Sequence, residues 1–227
     1  MEEMNNLAES GRGYFNIFVK YIKDYYKIIL LILLTFFVLF LSYQFYSYLY
    51  LKNIQKNSIV YFNSKDFEPN NDFYKIMETL SKNKDFFSIL AILEMIDINI
   101  KNKNYDFAKD LYLKLLEEKK INPIYVSAIA SRAAYSFINI ISENSDVNLI
   151  YEIKNFINYI DDNLTNYEGV KLELKYLLAV AEQDINNISP LDDMNAIEIY
   201  KLIMSSENIS STIKERVNKI HEFQIYK

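Results

Sequence analysis

The chain has 227 residues and a net charge of −5, with three glycines, three prolines and no cysteine. Folds rich in tight turns need far more Gly and Pro, so the composition points to an all-α architecture. Without cysteine there is neither a disulfide nor a thiolate nucleophile. The acidic balance has no basic stripe and so argues against nucleic acid as a partner. Residues 1–27 carry four bases and four acids, so the whole net charge lies further on. Asn, Ile, Lys and Tyr are in excess while arginine occurs only at positions 12, 132 and 216, a background composition of the A+T-rich kind.

From Ile28 to Leu51 no residue is charged, and the centre reads IILLILLTFFVLFLSY. As a helix these residues extend about 36 Å, enough to cross a hydrocarbon core of about 30 Å. A secretory signal has a shorter apolar stretch followed by small residues for cleavage. Here the run is longer and SYQFYSYLY follows it, so a retained single-pass anchor over 28–51 is expected. Four Lys and Arg precede the span within about 20 residues, and Lys52, Lys56 and Lys65 follow it. The positive-inside rule then favours a cytoplasmic N-terminus. Tyr43, Tyr46 and Tyr50 recur at helical spacing near the outer interface, where a tyrosine keeps its ring in lipid and its hydroxyl in water. Before the span, Phe15, Phe18, Ile22, Tyr25 and Ile29 share one helical face, with Lys20, Lys23, Asp24 and Lys27 opposite. Residues 1–27 therefore read either as an interfacial amphipathic helix or as an extension of the membrane helix.

Helical periodicity continues through Leu51, Ile54, Ser58 and Tyr61, and the polar stretch 63–71 with Pro69 breaks it. Residues 52–71 are thus a juxtamembrane helix and linker, and 72–227 a helical domain. Phe73, Ile76, Met77 and Leu80 mark a short first helix. Pair one has Ile89, Leu93, Ile96 and Ile100 on its first member, then Phe107, Ala108, Leu111, Tyr112 and Leu115 on its second. Pair two starts at Pro123 after the cap Asn122 and presents Val126, Ile129, Ala130, Ala133 and Phe137. After a turn at 142–146 its partner presents Leu149, Ile153, Phe156, Ile157 and Ile160. Pair three runs from about Tyr167 with Leu174, Leu177, Leu178 and Ala181, breaks at Pro190, and resumes from Asp193 with Ala196, Ile199, Tyr200 and Ile203. Asp192 and Asp193 read as caps for that helix. A last helix from about Ser210 to Tyr226 covers the end. A small residue followed four positions later by an aromatic, as in Ala108/Tyr112 and Ala196/Tyr200, is the packing device of tetratricopeptide repeats. The expected fold is therefore a single N-terminal transmembrane helix followed by a tetratricopeptide-like stack of helix pairs, with an irregular helical bundle as the alternative because pair two lacks the pattern.

No catalytic constellation is legible. The single histidine, His221, has no second His or Cys to complete a metal site, and it reads as a solvated or helix-end residue. Glu117–Glu118, Asp161–Asp162 and Asp192–Asp193 are sequence neighbours that diverge on a helix. There is no glycine-rich phosphate loop, nucleophile elbow or metal spacing. The expectations are no catalytic, cofactor-binding or metal-binding residue, no cofactor, no small-molecule substrate and no enzymatic activity. Asn163 and Asn208 open glycosylation-type triplets, short patterns that recur by chance.

The stretch FFSILAILEMIDINIKNKNYDFAKDLYLKLLEE (86–118) and the following SAIASRAAYSF (127–137) resemble the YfgM-like ancillary subunits of the bacterial Sec translocon. Those proteins have a short cytoplasmic N-terminus, one membrane helix and a periplasmic tetratricopeptide-like domain. The resemblance implies a chaperone-like or assembly factor in the bacterial inner membrane, with N-terminus cytoplasmic and domain periplasmic. Its partners would be translocon subunits, periplasmic chaperones or client chains, with lipid around the anchor. The competing expectation is a structural scaffold of the cell envelope or division machinery with no client binding.

Overall fold

The computed structural model describes residues 2–65, 71–118, 121–144, 148–186 and 195–226, which hold nine helices and no strand. Two compact units divide the chain, Met1–Asp66 and Phe67–Lys227.

The first unit is one unbroken helix, α1 (Glu2–Lys65). Its apolar part has a mean hydropathy of 2.5 and none of it is buried inside the protein, so α1 is long and apolar enough to cross a membrane. The backbone is helical from Glu2 through residue 28 without a turn, a course that both readings of residues 1–27 share. The side chains of Phe15, Phe18 and Ile22 lie outside the described residues. Within the apolar run Thr35 donates to the Leu31 carbonyl at 2.9 Å and Ser42 to that of Val38 at 2.8 Å. Of the three tyrosines at helical spacing, Tyr46 and Tyr50 stack with their rings 6.5 Å apart. Lys27 lies 6.0 Å from the Tyr26 ring and Lys52 6.0 Å from that of Tyr48, a cation on an aromatic near each end of the apolar run.

The second unit contains α2 (Asn71–Ser81), α3 (Phe86–Lys101), α4 (Tyr105–Leu116), α5 (Pro123–Asn144), α6 (Asn148–Asn158), α7 (Thr165–Asn186), α8 (Ala196–Ser205) and α9 (Ser211–Ile225). Every described helix in it packs only on helices one or two places away in the chain. That nearest-neighbour order is characteristic of helical stacks, in which each unit contacts only its neighbours, and it is compatible with a tetratricopeptide-like arrangement.

Local chemistry sets the helix starts. Asp85 caps α3 by accepting the Ser88 amide at 3.1 Å. Asn122 accepts the Ile124 amide at 3.0 Å just before Pro123, so the expected cap and first-turn proline are both in place. Asn195 and Glu198 form a capping box on α8. The helix therefore begins at Ala196, not at Asp193, and Asp192, Asp193 and Pro190 lie outside the described residues. Likewise α5 runs to Asn144, two residues past the turn expected at 142. Between α3 and α4 the chain reverses through Lys103 at φ 60°, a left-handed residue that is not glycine. Asn99 and Asn104 hold that turn: the Asn104 amide donates to the Asn99 carbonyl at 2.8 Å, and the two side chains bond each other at 3.1 Å.

The core is centred where α4, α5 and α6 meet. Ala108 and Tyr112 are both fully buried, as their spacing predicts, and the Tyr112 ring meets Phe137 of α5 at 6.3 Å and Phe156 of α6 at 5.9 Å. A second cluster joins α7, α8 and α9 through Tyr176, Ile199, Ile203, Ile213 and Val217. The length and hydropathy of Pro123–Ser142 also suit a membrane span, yet more than half of it is buried inside the unit, which makes α5 the central core helix.

The expected inner face of α3 is only partly right. Ile96 is fully buried, but Ile89, Leu93 and Ile100 are only half-buried; the buried residues are Ser88, Ala91, Ile92, Met95, Ile96 and Asn99. FFSILAILEMIDINI is apolar nearly all round, so periodicity alone cannot choose a face. Contact with α2 and α4 decides it, and small residues let those helices approach.

Candidate interaction surface

Along the series α3, α5, α7, α9 the junctions are not alike. α5 packs on α7, and α7 on α9, but no Cα of α3 lies within 8 Å of one in α5 among the described residues. An open groove occupies that junction. Its α3 wall is Phe86, Ile89, Leu90 and Leu93, and its α5 wall is Tyr125, Ala128, Ile129 and Arg132, around about 210 Å³ of space. A larger cleft of about 530 Å³ continues from it past Phe86, Ile89 and Tyr125 to a polar mouth of Asn83, Lys84, Asp85, Glu118 and Asn122. Phe86 is 49% exposed and Tyr125 51%, with their rings 6.1 Å apart across the groove. Asp97 of α3 closes the other end through Arg132, whose Nη2 lies 2.6 Å from both carboxylate oxygens.

The two closed junctions are tied by Glu173 of α7, whose side chain is 2% exposed. Arg216 of α9 grips it in a fork, Nε to Oε1 at 2.8 Å and Nη2 to Oε2 at 2.6 Å, and the Tyr135 hydroxyl of α5 donates to Oε2 at 2.7 Å. Burial and the bond to Glu173 push the Tyr135 phenol far above its ordinary range. The hydrogen bonds to Glu173 likewise hold the guanidinium of Arg216 further above its own. Both arginines of the domain therefore make cross-helix pairs, a use that suits a rigid planar fork better than a lysine.

The other singled-out residues have local tasks. Asp161 accepts the Asn163 amide at 2.9 Å, and Asp162 pairs with Lys171 at 2.6 Å, so these acids are spent in the α6–α7 turn. Glu117 caps the end of α4. Asn163 and Asn208 are exposed. His221, read as a solvated or helix-end residue, lies partly exposed near the end of α9, where its ring stacks on Tyr200 at 3.8 Å because α9 folds back over α8. Ala196 is buried as expected, and Tyr200 spends its hydroxyl on Asn218 at 2.7 Å. Among the described residues, no group of three or more His, Cys, Asp or Glu is placed to hold a metal ion.

Neither the groove nor the Glu173 tie was singled out by the sequence reading. The groove is a gap between helices, which leaves no periodic trace. The tie joins residues 38 and 43 positions apart, and its one sequence signal is the scarcity of arginine. The chain matches no protein-family model, no curated protein and no solved structure in the comparisons made.

Proposed function

We propose that this chain is a membrane-tethered interaction module that holds segments of other proteins in the groove between α3 and α5. The observation that carries the reading is the open α3–α5 junction, walled by exposed Phe86 and Tyr125 where the next two junctions are closed. From Phe86 to Asp97 the groove follows about three helical turns, roughly 16 Å. That length suits a short apolar helix or about five extended residues, the kinds of segment that helical grooves take. α1 supplies the tether, with 28–51 retained in the bilayer. Orientation follows the charge flanks, with the N-terminus cytoplasmic and the domain periplasmic at the bacterial inner membrane.

The resemblance to YfgM-like translocon subunits supplies the finer assignment: a chaperone-like or assembly factor beside the Sec channel that receives translocated or envelope proteins. A photoreactive residue in place of Leu90 tests both levels. The expected result is adducts to nascent envelope chains or translocon subunits from position 90 and none from Tyr151, which is exposed on α6. Adducts to other envelope proteins alone remove the translocon assignment and keep the module. Absence of any adduct, together with a fragment lacking residues 1–60 that binds no unfolded chain, favours the structural scaffold instead.

A further inference from the structure

The elements of the domain are not held equally. α7 is buried on nearly every side, against α5, α6, α8 and α9. α9 lies at the end of the series, packs its backbone only on α7 and α8 while Arg216 also reaches Tyr135 of α5, and buries just Ile213 and Val217 of its 15 residues. Its seat on α7 is close: a Cβ added to Gly169 would stand 3.0 Å from Ile213 Cδ1. Three polar contacts complete the attachment, the Arg216–Glu173 fork, the Tyr200–Asn218 hydrogen bond and the stacking of His221 on Tyr200. The connection from α8 is short and leaves Ser206 and Ser210 in extended conformation at either end.

We propose that α9 is a hinged cap, the element of this domain that opens while the rest stays folded, with Glu173 as its latch and residues 206–210 as its hinge. Two buried aliphatics and a partly buried Ile220 are little apolar attachment for a helix of four turns, so the polar contacts decide how often it leaves. The latch works through Glu173, whose 2% exposed carboxylate takes its fork from Arg216 on α9. When α9 is seated the carboxylate has its fork, and when α9 swings away the carboxylate meets water, so neither end state strands a buried charge. Removing Arg216 alone breaks that symmetry, since a seated α9 then covers an acid that keeps only Tyr135 as partner. Opening uncovers the apolar side of α7 and α8 at Tyr176, Ile199 and Ile203, the surface on which the last helix of the stack sits. The cap is independent of what occupies the α3–α5 groove.

Hydrogen–deuterium exchange on the full chain in lipid nanodiscs tests this. In the wild type, the amides of α9 exchange faster than those of α5 and α7. Arg216→Gln speeds α9 exchange roughly ten- to hundredfold, the range for stranding a buried acceptor, and leaves α3–α6 unchanged. Arg216→Lys, which keeps the charge and loses the fork, gives a smaller acceleration in the same segment. The double variant Glu173→Leu/Arg216→Leu returns α9 toward the wild-type rate, because an apolar pair removes the stranded acid. Equal α9 exchange in the wild type and both single variants overturns the proposal. So does an equal acceleration across α3–α6, which would make the pair part of the global fold.

Discussion

Phe137→Ala tests whether the α4–α5–α6 junction is the structural centre of the domain. The ring is fully buried and lies 6.3 Å from Tyr112 and 5.4 Å from Phe156, on two other helices. Truncating a core phenylalanine costs about 3–5 kcal/mol, the larger values arising where the site cannot collapse. Collapse is hindered here because both neighbouring rings are themselves buried and touch each other at 5.9 Å. The expectation is therefore about 4 kcal/mol, a large share of the roughly 5–15 kcal/mol that stabilises a domain. For a domain of this size each kcal/mol shifts Tm by about 2–4 °C, so the drop is roughly 8–16 °C. Thermal unfolding of the full chain in detergent, followed by circular dichroism, reads it. The control is Tyr151→Ala, at a 61% exposed ring, which moves stability by less than about 0.5 kcal/mol. A drop below about 3 °C for Phe137→Ala, or one matched by the control, refutes this account of the core.

Lys103→Gly relieves a left-handed backbone that costs a side-chain-bearing residue roughly 1 kcal/mol, so denaturant unfolding shows a gain of up to that amount. Burial raises the Tyr176 phenol from 10.0 to about 12, and the nearby Tyr200 adds to the rise. A phenol raised in the folded state gives stability that is complete below pH 10 and lost as pH climbs through 12, so Tm falls across that window and phenolate absorbance shows a late class of tyrosines. Tyr176→Phe reduces both effects. Replacing Arg132 by Gln costs less than about 1 kcal/mol and the loss shrinks in high salt, since both partners of its ion pair with Asp97 are about half exposed.

What the sequence revealed follows from what each physical signal encodes. Residues 28–51 are legible as a long apolar helix because an uncharged run of that length shows directly in the sequence. The Ala108/Tyr112 pair is legible because a small residue four positions before a ring sets how closely two helices pack. Asn122 and Pro123 announce the start of α5 through chemistry confined to one turn. The face of α3 is not legible, since a helix apolar all round is oriented by its neighbours and not by its own period. His221 is legible in part: its place near the end of α9 follows from the local sequence, while its stacking on Tyr200 depends on α9 folding back over α8. The Glu173–Arg216 fork lies beyond any local pattern because its residues are 43 positions apart.

The most direct test of the central claim, a helix that holds this domain against a membrane, is a topology measurement on the full chain with a reporter fused after Lys227. The account predicts that the reporter lies on the periplasmic face and stays with the membrane at the mass of the uncleaved fusion. A reporter in the cytoplasm contradicts the orientation and with it the translocon assignment, and a shortened soluble product contradicts the tether itself.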